Sequence, residues 1–233
     1  KTNARQADPL TQAPGGRSIR LAGQALEALF QGISRPYAID MNPIAQASGE
    51  VIDAIAEIGL AKWLDTVRAH HVGTFQHCLL VTGLATSFGV KNRMRRADVE
   101  RLTTGALLHD IGKAKIPLSI LDKPGALDAR ELEVMQRHPV IGYDYLRQQS
   151  QISGEVLSMV RSHHEYLDGS GYPDGLMADR IDDVTRILTI CDIYGALVEQ
   201  RAYKAPKTPD EAMAILSTLA SQGKVETSLV KAL

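Results

Sequence analysis

Apolar runs at helical spacing, each opened or closed by a histidine or carrying a lone aspartate, recur along this chain and constrain its fold more than any other feature. Five of the seven histidines take such places. His77 opens a run whose face includes Leu80, Val81 and Leu84. His109 and Asp110 close Ala106-Leu107-Leu108, and His138 is predicted to end a further helix immediately before Pro139. His163-His164-Glu165 closes the periodic positions Val156, Met159 and Val160, and Asp192 is the only charged residue between Ile187 and Leu197. Apolar positions three and four apart form one buried stripe on a helix. Period-2 alternation is nearly absent, so the chain is predicted to be all-α.

Each feature has a structural reading of its own. A histidine beside an aspartate arises by chance in many proteins. His77 fits a satisfied core histidine, Asp192 fits the ion-pair partner of an arginine, and His138 fits a helix end before proline. Joint occurrence is harder to explain that way, because a carboxylate inside an apolar helix is costly unless paired or metal-bound. Five core-facing histidines with two carboxylates match what a multi-metal site on a helical scaffold requires, and imidazole suits zinc, iron and nickel. Asp168-Gly169-Ser170-Gly171-Tyr172-Pro173 follows the histidine pair at once; a turn punctuated by glycine lets a backbone or ligand approach closely.

Composition narrows the classes. The 233 residues suit one large domain, or one domain with a short appendage, and a formal charge of -1 provides no global field to recruit a DNA or RNA polymer. The cluster Lys91, Arg93, Arg95 and Arg96 reads as a solvated loop and helix start. No apolar run approaches the roughly 18 residues of a membrane span, and no secretory signal is visible, so the expected compartment is the cytoplasm. Cys78 and Cys191 each neighbour a candidate ligand and read as reduced core residues. A first residue of lysine suggests an excerpt of a longer protein.

Turn and cap signals divide the chain. Residues 1–18 form a polar lead-in, and a helical pattern runs from Ile19 to about His70 with breaks near Pro36 and Pro43. The stretch from Ile44 to Val67 reads equally as a linker to an upstream sensory domain or as a helix packed on the domain's own core. Helices are predicted from Thr74 to Phe88, from Asp98 to His109, from an N-cap at Asp128 with Glu131 in the capping-box position to near Arg137, and around Asp192. Thr208-Pro209-Asp210-Glu211 starts another.

His109-Asp110-Ile111-Gly112-Lys113, His138-Pro139, His163-His164-Glu165 and Asp168 through Pro173 resemble, in order and spacing, the HD-GYP domain, a subgroup of the HD superfamily of metal-dependent phosphohydrolases. Ile116-Pro117, Ile120-Leu121, Lys123-Pro124-Gly125, Asp192-Ile193-Tyr194 and Arg201-Ala202-Tyr203-Lys204 fit the same pattern, and the resemblance extends over about residues 66 to 230. It implies an HD-domain helical bundle with an N-terminal helical extension. Residues 1–65 would be a lead-in and helical linker ending a longer upstream region, and 66–233 the catalytic domain.

The resemblance also implies roles. His77, His109, Asp110 and Asp192 would hold one metal, with Asp110 able to bridge, and His138, His163 and His164 the second. The cofactors would be two divalent transition-metal ions, iron or manganese first, with zinc or nickel accommodated. They would share a hydroxide that attacks a phosphodiester of cyclic di-GMP, opening the ring to linear pGpG. Lys113 would neutralise charge on the phosphorane or help protonate the leaving oxygen. Arg201 and Lys204 match phosphate-binding positions, although alone they read as a solvated helix end, and Tyr172 would pack beside a bound base.

Three departures stand out. Gly73 replaces an acid that holds a third metal in some members, so two metals are expected. Gly195 replaces a common aspartate and is expected to open space near the site, and Tyr166 stands where a basic residue is frequent. The alternative functions are a catalytically slow cyclic-dinucleotide-binding module acting in signalling and an HD phosphohydrolase for ordinary nucleotides. Homodimerisation and a protein signalling partner are both compatible with the sequence.

Overall fold

The computed structural model describes residues 10, 13–33, 40–70, 73–149, 151–199 and 205–233. Helices α1 (Gly16–Gly32), α2 (Asn42–His70), α3 (Gly73–Lys91) and α4 (Arg96–Leu108) form the N-terminal half, α2 breaking at Gly59. Then come the short α5 (Leu118–Leu121), α6 (Ala129–Met135), α7 (His138–Leu146) and α8 (Gly154–Ser162), followed by α9 (Asp183–Val198), α10 (Pro209–Ser221) and α11 (Thr227–Ala232). No strand occurs among the described residues; an isolated antiparallel bridge joins Asp168 to Met177. The chain is an all-α bundle, as its periodicity predicts.

Local chemistry starts these helices where polar residues precede apolar stripes. Asp128 accepts from the backbone N–H of Glu131 at 2.9 Å while the Glu131 carboxylate accepts from the N–H of Asp128 at 2.8 Å. Thr208 and Glu211 repeat that exchange at α10, with Pro209 in the first turn. Ser153 caps α8 and Asp182 caps α9. Each such cap contributes about 1 kcal/mol.

One core joins Ile19, Leu26 and Leu29 of α1, Val51, Ile55, Trp63 and Val67 of α2, Leu79 and Leu80 of α3, Leu102 and Leu107 of α4, Met159 of α8 and Leu188 of α9. The Trp63 indole N–H donates to the Leu79 carbonyl at 3.0 Å. Residues 44–67 therefore pack on the domain's own core. A smaller cluster of Ile190, Leu216, Val225 and Val230 seats α10 and α11 on the other side of α9.

Several local expectations change. His138 does not end a helix: α6 stops at Met135, and His138 opens α7 with Pro139 in its first turn. Proline is well suited there, because its missing N–H is one the first turn leaves unpaired anyway. Gly195 opens no space: a Cβ there would lie 2.8 Å from Val81 Cγ2, so α3 has filled the position. Lys91, Arg93, Arg95 and Arg96 are exposed, with Arg96 paired to Asp53 and Glu100. Cys78 and Cys191 are buried free thiols, both pushed up in pKa by burial. Among the described residues no helix is long and apolar enough to cross a membrane.

Candidate metal centre

All seven ligand-type residues predicted from the sequence converge. His77 comes from the first turns of α3, His109 and Asp110 from the end of α4, His138 from the start of α7, His163 and His164 from the end of α8, and Asp192 from the middle of α9. They form two groups able to hold a metal ion, Asp110 with His138, His163 and His164, and His77 with His109 and Asp192; within each group the donor atoms lie within 4.8 Å of one another. All but His164 are buried.

Helix ends orient three of the rings. His109 donates from Nδ1 to the Ala106 carbonyl at 2.7 Å, His138 to Met135 at 2.8 Å and His163 to Val160 at 2.9 Å. Those carbonyls belong to last helical turns, which lack helical partners, so one bond caps the helix and turns Nε2 inward. A carbonyl oxygen only accepts, so each Nδ1 carries the hydrogen and each Nε2 is turned inward as the candidate ligand atom.

That geometry calls for a cation. The Nε2 atoms of His138 and His163 face each other at 3.2 Å, close enough to serve one ion between them. Burial holds His163 neutral, well below the ordinary imidazole range, and depresses His164 to about 3. His77 Nδ1, His109 Nε2 and Asp110 Oδ1 are buried without a well-formed hydrogen bond. Imidazole nitrogens and carboxylates around orphaned donor atoms fit a divalent transition metal.

Asp110 lies between the groups. Its Oδ1 is 3.2 Å from His138 Nε2 and 3.9 Å from His163 Nε2, while Oδ2 is 3.3 Å from His109 Nε2 and 3.7 Å from His77 Nε2. Lys113 Nζ also reaches Oδ2, at 2.6 Å. Burial by itself would raise the Asp110 pKa; the Lys113 charge helps outweigh it and holds the carboxyl well below its usual range. Lys113 arrives through the 3-10 turn Ile111–Lys115 rather than a continued α4, so it meets Asp110 three residues back.

Two motif glycines have steric reasons. A Cβ on Gly112 would stand 1.9 Å from the His138 carbonyl oxygen and 2.7 Å from Gly142 N, so only glycine lets this turn touch the start of α7. A Cβ on Gly171 would stand 2.4 Å from Tyr166 N and 2.5 Å from the His164 carbonyl oxygen. The loop folded back in this way lays the Tyr172 ring on His164, with centroids 4.7 Å apart and planes at 27°. Burial and the charges of Asp192 and Asp110 keep the Tyr172 hydroxyl protonated. Arg201 and Lys204 lie outside the described residues. Tyr166 packs beneath Lys224, whose Nζ is 4.9 Å from its ring centre.

Two residues given no role from the sequence also matter. Buried Glu165 accepts from three backbone N–H groups of the loop, Asp174 at 2.6 Å, Gly175 at 3.1 Å and Leu176 at 3.0 Å. No spacing rule announces those contacts. Glu199, also buried, places Oε2 3.3 Å from His77 Nδ1. It is the residue that caps the C-terminus of α9, seven positions after Asp192.

Comparison with known proteins supplies the family. The sequence model of the HD domain family matches residues 53–229. This chain belongs to the HD domain family. The HD domain is 43% identical over 120 residues to the cyclic di-GMP phosphodiesterase response regulator RpfG of Xanthomonas campestris pv. campestris, covering 51% of this chain and 32% of that protein. It is 36% identical over 179 residues to the 3'3'-cGAMP-specific phosphodiesterase 3 of Vibrio cholerae, covering 75% of this chain and 38% of that one. The chain thus spans about a third to two fifths of the length of these relatives. Its fold is shared with Bd1817, an HDG"Y"P protein from Bdellovibrio bacteriovorus, at a TM-score of 0.71 and 17% identity, covering 99% of this chain and 73% of the other. These matches agree with the HD-GYP resemblance of the motifs. Divalent metal chemistry is what an HD domain implies, and the His/Asp cluster is able to bind it.

Proposed function

We propose that this HD domain is a metal-dependent phosphodiesterase that hydrolyses cyclic di-GMP to linear pGpG, with two divalent ions, iron or manganese, in the centre. The observation that carries the reading is Asp110, whose two oxygens turn toward different groups of imidazole nitrogens. His77, His109, Asp192 and Asp110 would hold one ion, and His138, His163, His164 and Asp110 the other. The ions would supply Lewis acidity and a nucleophilic water at neutral pH.

The chain's own residues do the rest. Lys113 carries its ammonium into the centre, where it can leave Asp110 for a phosphate oxygen and offset the charge that develops there. Tyr172, held against His164 and protonated, offers a ring face and an O–H donor to the dinucleotide. Arg201 and Lys204 would take the second phosphate, arginine by paired N–H donors. Residues 66–233 would constitute the catalytic domain, and the two buried thiols suit a reducing, cytoplasmic setting.

The test is elemental analysis of anaerobically purified protein together with chromatography of cyclic di-GMP after incubation. Two metal equivalents and accumulating pGpG are expected. Two equivalents with intact substrate after iron and manganese are added would favour a binding module. Turnover of 3'3'-cGAMP with cyclic di-GMP untouched would move the substrate to the specificity of the Vibrio relative.

A further inference from the structure

Of the five histidines of the centre, three share one Nδ1 arrangement; His164 Nδ1 faces Asp192 Oδ2 at 3.6 Å, and His77 differs again. His109, His138 and His163 each spend the Nδ1 hydrogen on the carbonyl three residues back, at or beside a helix end. His77 lies four residues inside α3, where the carbonyls behind it carry the helix's own bonds. A side chain must take that hydrogen instead; His77 Nδ1 is buried without a well-formed hydrogen bond, and the Glu199 carboxylate stands 3.3 Å from it.

We propose that Glu199 is the positioning residue for His77: its carboxylate accepts the Nδ1 hydrogen and aims Nε2 at the ion shared with His109 and Asp192. The proposal rests on the two-metal reading of the centre. On the opposite edge of the ring, His77 Nε2 lies 2.9 Å from Asp192 Oδ1 and 3.7 Å from Asp110 Oδ2. The ring is thus held between Glu199 on one nitrogen and the candidate metal on the other. Asp192 lies within α9 and Glu199 is the residue that caps its C-terminus, so one helix and its end present both a ligand and the group that orients its neighbour. Glu199 is 5% exposed and accepts no role as a solvated helix end. A carboxylate on the distal nitrogen fixes the tautomer and makes the ligand more basic, and losing such a partner typically costs 10–100-fold in metal affinity.

The experiment titrates manganese into the metal-free full chain against a competing chelator, for the wild type, Glu199→Ala and Glu199→Gln. Wild type is expected to bind two equivalents. Glu199→Ala should weaken one equivalent about 10–100-fold and leave the other within about 2-fold, because only the ion shared with His77 loses its support. Glu199→Gln keeps an acceptor oxygen, so it should weaken the same equivalent by less. Unchanged affinities, or equal weakening of both equivalents, would overturn the positioning role and leave Glu199 a general packing residue. If Glu199→Ala fails to fold, Glu199→Gln is judged by the same outcomes. A wild type binding fewer than two equivalents would strike the two-metal reading instead, so the two failures are separable.

Discussion

Glu165→Gln tests whether a single carboxylate holds the Gly-Tyr-Pro loop. Asp174 and Gly175 both donate to Oε1, and Leu176 donates to Oε2. A glutamine oxygen can keep the first two, but its amide then turns N–H against the Leu176 N–H; the flipped amide keeps only one. At least one backbone donor therefore loses its acceptor and meets another donor. A hydrogen bond to a charged group contributes about 1.5–3 kcal/mol, and those retained fall to roughly half strength when the charge is removed. Asp174 and Gly175 are exposed, so water recovers part of the loss. The net expectation is a destabilisation of about 2–3 kcal/mol. For a chain of this size that lowers Tm by roughly 4–12 °C. Thermal unfolding of the metal-free protein reads the global effect, and amide hydrogen exchange at 174–176 reads the local one. Metal stoichiometry should stay at its wild-type value, because Glu165 is outside both donor groups. Unaltered exchange protection at those three amides would refute the reasoning, whatever happened to Tm.

Asp110→Ala should abolish hydrolysis and reduce metal content, read by elemental analysis; full activity in this variant would end the bridging assignment. Gly112→Ala forces a Cβ onto the His138 carbonyl, which cannot yield without moving α7, so a loss of about 3 kcal/mol or more is expected by denaturant unfolding. A variant within about 0.5 kcal/mol of wild type would show that the turn can relax. For the metal-free protein, burial opposes charge on His77, but hydrogen bonds to Asp192 and Glu199 and the charge of Asp110 outweigh it and raise its pKa to about 9. A raised folded-state pKa stabilises below the unfolded value of about 6.5, and the contribution is lost as pH climbs toward 9. Metal-free Tm should therefore decline across that window while metal affinity rises, since the ion no longer displaces a proton. A flat metal-free Tm between those values would contradict the His77 environment.

Legibility followed the range of the interactions. Capping boxes at Asp128 and Thr208 were readable because their donors and acceptors lie three residues apart. The identity of the ligand-type residues was readable for a similar reason: His109, His163 and Asp192 interrupt periodic apolar runs whose burial the run itself predicts. His138 was misplaced by one element, since proline both follows helix ends and opens helices, and only the packing of α7 on the Ile111–Lys115 turn distinguishes the two. The expected space at Gly195 failed because Val81, on another helix, occupies it.

Taken by itself, then, the sequence determined an all-α chain, the approximate ends of α3, α4 and α6, the start of α10 and the seven histidine and aspartate side chains that are candidate ligands, because periodicity and caps are properties of contiguous residues. Tertiary structure alone decided how those side chains are shared. It set one oxygen of Asp110 toward each donor group, brought Glu199 to His77 across 122 residues of chain, and wrapped the 174–176 backbone around Glu165. Such pairings depend on where separate helices cross, and helix crossings are settled by the packing of the whole core rather than by any local run.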